Sequence, residues 1–142
     1  MDFSPYLLAI VLAWIVAQGT KFLINSVKGR WVIDYRQLYT SGSMPSSHSA
    51  SVIALMSVIG LRDGVDTAVF GLVTLFAAIV MYDAFMVRRS TGEQGEAIQA
   101  LIKEQKSKVR LPRAAKGHEP LEVAVGALIG LAVGLGVFFI YQ

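Results

Sequence analysis

The chain has two histidines, and each is surrounded by groups suited to an anion. The first closes Ser41-Gly42-Ser43-Met44-Pro45-Ser46-Ser47-His48, a polar turn that leads into the apolar run Ala50 to Leu61. Ser46 or Ser47 can cap a helix there, which puts His48 in its first turn, among free backbone N–H groups and at the positive end of the helix dipole. The second, His118, has Glu122 four residues on and Pro120 between them, well placed at a first helical position. A carboxylate at that spacing can orient one imidazole nitrogen and leave the other nucleophilic. Hydrolysis of a phosphoester through a covalent intermediate needs such a nucleophile, an acid for the leaving alkoxide, and cations for the non-bridging oxygens. His118 with Glu122 supplies the first, and His48 the second. A histidine at a helix start is more often a cap or an interface residue, but here two of them share phosphate-friendly surroundings. A metal site from His48, His118, Glu122 and Asp83 fits by residue type, and the many nearby cations argue against it.

The elements that must position these groups are apolar helices. Hydrophobic residues make up 54% of the 142 positions and charged residues 16%, with a mean hydropathy of +0.55. Soluble domains carry about a quarter charged residues, so the composition indicates an integral membrane protein, all-α and a single domain over residues 1–142. There is no cysteine, which excludes disulfides and thiolate metal sites. Pro5 to Thr20 is uncharged, and continued through Ile24 it is long enough to span a bilayer. The acidic Met1-Asp2 start argues against a signal peptide. Residues 21–44 mix Lys21, Lys28, Arg30 and Arg36 with Trp31, Tyr35 and Tyr39, an interfacial signature. Residues 46–61 form a short second helix of ~24 Å, containing Ser49, Ser51 and Ser57, either packed inside the bundle or re-entrant. Val65 to Val87 is a third span with Asp83 near its end, a site candidate or an ion-pair partner of Arg88 or Arg89. Gly92 to Lys108 has a helical apolar period and reads as an amphipathic helix on the membrane or on the bundle. Residues 120–141 form the last span, with Gly126, Gly130 and Gly134 as a smooth packing face.

Alternation of about four spans puts four features on one membrane face: the end of the first helix (Lys21, Lys28, Arg30), the start of the second (Ser46, Ser47, His48), the end of the third (Asp83, Arg88, Arg89) and the start of the last (His118, Glu122). The two connectors on that face hold every one of the 13 basic residues except Arg62. The positive-inside rule therefore places them in the cytoplasm, with the chain as a multi-pass protein of the cell membrane.

Pro45-Ser46-Ser47-His48-Ser49 resembles the Pro-Ser-Gly-His motif of the type 2 phosphatidic acid phosphatase superfamily, which also contains the vanadium haloperoxidases. His118-x-x-x-Glu122-Val123-x-x-Gly126-x-x-x-Gly130 resembles its closing motif, His-x-x-x-Asp-Val-x-x-Gly-x-x-x-Gly. With Asp83…Val87-Arg88-Arg89-x-x-Gly92-x-Gln94 and Gly117-His118-x-Pro120, the chain looks like the short divergent branch of that superfamily over residues 21 to 130. The resemblance implies a helical bundle and a phosphohistidine mechanism without metal or other cofactor. It makes His118 the nucleophile, Glu122 its orienting carboxylate and His48 the acid, with Ser46 and Ser47 helping to bind phosphate. Lys21 and Lys28 match the spacing of the opening Lys-x₆-Arg-Pro motif without its Arg and Pro, and Arg30 is a candidate for the second role. The Ser-Arg pair that precedes the closing histidine is absent, and Arg110, Arg113, Arg88 or Arg89 could substitute.

The expected function is hydrolysis of a lipid phosphate or pyrophosphate at the membrane–water interface, with phosphatidylglycerophosphate, phosphatidic acid or a polyprenyl phosphate as substrate. Expected partners are that lipid and the bilayer, no nucleic acid, and a second copy of the chain if the glycine face dimerises. The rival reading is a protein that has lost catalysis and binds phosphorylated headgroups or a partner. A transporter is disfavoured, because the spans carry almost no charge to line a path.

Overall fold

The computed structural model describes residues 3–27, 44–112, 114 and 117–142, and within them every regular element is helical. The elements are α1 (Pro5–Val27), α2 (Ser47–Arg62), α3 (Ala68–Tyr82), a π-helical turn (Asp83–Val87), α4 (Arg88–Glu104) and α5 (Pro120–Ile140). Three stretches are long and apolar enough to cross a membrane: Pro5–Val27, Ala68–Glu104 and Pro120–Ile140. The fourth helix, α2, is apolar but has only 16 residues. The expected all-α membrane bundle is thus the observed architecture.

The helices pack through small side chains. Ala9, Ala13 and Ala17 of α1 meet Ala50, Ala54 and Val58 of α2 in a core closed by Val137 of α5. Each set recurs at intervals of four, which is one face of a helix. Large apolar groups such as Leu7, Trp14, Leu72, Phe76, Leu128 and Phe139 point outward, as expected where the surroundings are acyl chains. The Ala9-Ala13-Ala17 face of α1 continues one step further to Lys21, which is buried with it.

Helices α2 and α5 approach closest. A Cβ at Gly126 would overlap the carbonyl oxygen of Ser46, and one at Gly130 that of Ala50. At the other end of the bundle, the Tyr6 hydroxyl donates to Asp63 at 2.7 Å, and Arg62 donates to the Tyr141 carbonyl at 3.3 Å, tying α1, α2 and α5 together.

One expectation changes. The apolar period predicts an amphipathic helix over 92–108, apart from the third span. It begins at Arg88 instead and continues α3 through the π-helical turn, as one rod of 37 residues from Ala68 to Glu104. The chain then doubles back: Gln99 donates to the Pro112 carbonyl at 2.7 Å, and Gly117 lies against the backbone of Arg88 and Arg89. Gly92 and Gly95 are the buried positions of α4.

Gly130→Ala should cost about 1–3 kcal/mol, because the α2 backbone must move to admit the methyl group. Nothing lies within 4 Å of a Cβ at Gly136. Gly136→Ala should therefore be neutral or slightly stabilising, alanine being the better helix former by about 1 kcal/mol. Thermal unfolding in detergent should separate the two variants.

Candidate functional site

His118 is placed by backbone bonds before its side chain does anything. In an α-helix the Arg88 N–H would bond the Ala84 carbonyl. Across the π-helical turn it bonds the Asp83 carbonyl instead. Ala84 thereby loses its i+4 donor, and the His118 N–H donates to its carbonyl at 3.0 Å. The absence of a side chain at Gly117 lets the chain come in close enough for this bond.

His118 lies just outside α5, one residue before its N-cap, Glu119. The pairing with Glu122 nevertheless forms. His118 Nδ1 and Glu122 Oε2 are 2.8 Å apart, and the same oxygen accepts the Glu119 N–H at 3.2 Å. The carboxylate is held in place by the helix start that it caps. His118 is 4% exposed. With Nδ1 engaged as the donor, Nε2 carries the free lone pair.

The start of α2 is fixed against the same place. Ser46 donates its N–H to the Glu122 carbonyl at 3.0 Å and is fully buried. Its hydroxyl is the N-cap of α2, accepting from the Ser49 N–H at 3.4 Å and from the Ser49 hydroxyl at 3.0 Å. Ser47 is buried at the first helical position, and His48 follows it with its side chain accessible.

His48 and His118 line one cavity of about 200 Å³ together with Asp83, Arg88, Ala84, Ile79 and Val80. Arg88 Nε donates to Asp83 Oδ2 at 2.6 Å. The lining therefore combines the two imidazoles and this ion pair with apolar side chains of α3. Lys21 sits within electrostatic reach of both Glu122 and His48. A second cavity of similar size touches the other side of His118 and is lined by Arg89, Gly92, Glu93, Glu96, Gly117 and Glu119. Arg89 pairs there with Glu93 at 3.1 Å.

The structure thus brings together His48, His118, Glu122, Asp83, Arg88 and the start of α2, with Lys21 nearby. Arg89 turns to the second cavity. Arg110 is exposed in the connector and lines neither cavity. Lys28, Arg30 and Arg113 lie outside the described residues. No cluster of three His, Asp or Glu side chains arranged to hold a metal ion occurs among the described residues. Sequence reasoning missed the Ala84 carbonyl, which no side-chain type announces; Gly117 stood in the motif before the histidine, but its packing on Arg88 and Arg89 was not legible there.

Fold and site together define a class: an integral membrane helical bundle with a carboxylate-oriented histidine among cations at one end. Residues 4–133 match the divergent PAP2 family, and the chain belongs to that family. It is 33% identical to YuiD of Bacillus subtilis (strain 168), described as an uncharacterized membrane protein, over 151 aligned residues that cover 96% of this chain and 95% of the relative. No solved structure matches it.

Gly117→Ala should displace the connector and break the His118–Ala84 bond, lowering the unfolding temperature in detergent. Hydrogen exchange should show a loss of protection at the His118 amide. An unchanged amide would mean that the bond does not position the histidine.

Proposed function

We propose that this chain is a membrane phosphatase that removes a phosphoryl group from a lipid through a phosphohistidine intermediate. The observation that carries this reading is the 2.8 Å contact between His118 Nδ1 and Glu122 Oε2, on a buried imidazole that shares a cavity with His48 and Arg88. The other half of the argument is the cavity's mixed lining. Ile79 and Val80 belong to a membrane-crossing helix, and Ile79 is exposed on it, which suits an acyl or prenyl chain beside the phosphate. The family is consistent with such chemistry.

In the first half-reaction the Nε2 lone pair of His118 attacks phosphorus and the P–O ester bond breaks. His48 gives its proton to the departing lipid alkoxide. Glu122 holds the Nδ1 proton and stabilises the charge that builds on the ring. Arg88, Lys21 and the N-terminus of α2 balance the non-bridging oxygens. In the second half-reaction water attacks the same phosphorus, His48 takes a proton from it, and the P–N bond breaks to release phosphate and neutral His118. The distribution of basic residues favours a site facing the cytoplasm, which would suit lipid intermediates made on that leaflet.

Phosphate release from a panel of lipid phosphates by the purified protein in detergent tests the reading. His118→Ala should abolish turnover in a protein that still folds, and His48→Ala should lower it about 10²–10⁴-fold, the usual contribution of a general acid. EDTA should leave the rate unchanged. Full activity of His118→Ala would refute the mechanism, and loss to EDTA would require a metal. Saturable lipid binding by wild-type protein without release from any substrate would favour the headgroup-binding alternative.

A further inference from the structure

The side chain whose position the proposed chemistry leaves unexplained is Asp83. It brings a negative charge into the same cavity as His48 and His118, where a phosphate is to bind. An anion in an anion site is unfavourable unless it does something for a neighbour. Its neighbour is Arg88, five residues on, and the contact joins Asp83 Oδ2 to Arg88 Nε at 2.6 Å. On a regular helix, residues four apart face one another best. The π-helical turn Asp83–Val87 supplies the extra residue that lets a pair five apart share one face. The same turn releases the Ala84 carbonyl to His118. One local widening thus sets both the histidine and the guanidinium. Nε is the internal N–H of the guanidinium. Bonding through it leaves both Nη groups without a partner among the described residues, and these are the atoms able to grip two phosphate oxygens at once.

We propose that Asp83 is a positioning residue: the π-helical turn brings it against Arg88 Nε, so that the Nη groups are presented to the phosphoryl group held between His48 and His118. This rests on the phosphatase reading for its substrate, but the binding of a phosphate-like anion tests it independently. A clamp held by Asp83 and a clamp blocked by Asp83 predict opposite signs. If the carboxylate orients Arg88, removing it weakens anion binding. If it competes with the anion for Arg88, removing it tightens binding.

The experiment titrates orthovanadate into full-length protein in detergent by calorimetry, for wild type, Asp83→Asn, Asp83→Glu, Arg88→Gln, the Asp83→Asn/Arg88→Gln pair and Glu93→Gln. Asp83→Asn should weaken binding about tenfold, the scale of one charge-assisted hydrogen bond. Asp83→Glu, which keeps the carboxylate, should recover part of that loss. Asp83→Asn should add nothing in the Arg88→Gln background, because both changes remove the same clamp. Glu93→Gln breaks the exposed Arg89 pair one turn away and should bind as wild type does. With dioctanoyl phosphatidate in micelles, Asp83→Asn should raise KM more than it lowers kcat. Binding by Asp83→Asn equal to or tighter than wild type overturns the proposal. So does a full additional loss on the Arg88→Gln background, or wild-type protein that binds no orthovanadate. If the binding pattern holds while wild type releases no phosphate from any lipid, Asp83 keeps its role and the phosphatase reading fails.

Discussion

Helices in a bilayer gain little from hiding apolar side chains from one another, since the lipid is as apolar as they are. What holds them is close contact, and here α2 and α5 come so close that carbonyl oxygens of one occupy the space a side chain would take on the other, at Gly126 and Gly130. The site depends on that distance. It lets the Ser46 N–H reach the Glu122 carbonyl, which sets the start of α2, and with it His48, against the residue that orients His118. The spacing between the two imidazoles therefore rests on the helix crossing together with the bond that holds the connector at His118 to the Ala84 carbonyl.

The remaining groups are brought in by equally local devices. Lys21 occupies the next position on the alanine face of α1, so the packing that buries Ala9, Ala13 and Ala17 also buries a cation. The π-helical turn diverts one carbonyl from α3–α4 to His118 and puts Asp83 and Arg88 side by side. Glu122 serves twice, as a cap for α5 and as the partner of His118. A side chain held by a helix terminus loses little freedom when the histidine ring charges, which suits preorganised stabilisation of a developing cation.

Much of this was legible in the residues. Apolar length located the spanning helices, and Gly126, Gly130 and Gly134 announced the packing face of α5. Ser46 could be read as a cap because a serine before an apolar run satisfies free N–H groups. The i+4 spacing of His118 and Glu122 foretold their contact, although the histidine proved to lie just outside the helix. What could not be read was backbone geometry. A π-helical turn leaves no compositional mark in Asp83-Ala84-Phe85-Met86-Val87, so the union of the third span with the amphipathic helix was missed. The fold-back of the connector onto α4 was also hidden, because it rests on one glutamine, one carbonyl and a glycine far apart in sequence.

The central claim is that a phosphoryl group passes through His118, and direct capture of that adduct tests it best. Protein mixed with a lipid phosphate bearing a labelled phosphoryl group, then quenched in alkali within milliseconds, should carry an acid-labile label on the peptide containing His118 and none in His118→Asn. Label on another residue, or turnover with no protein-bound label on any timescale of the reaction, would contradict the account.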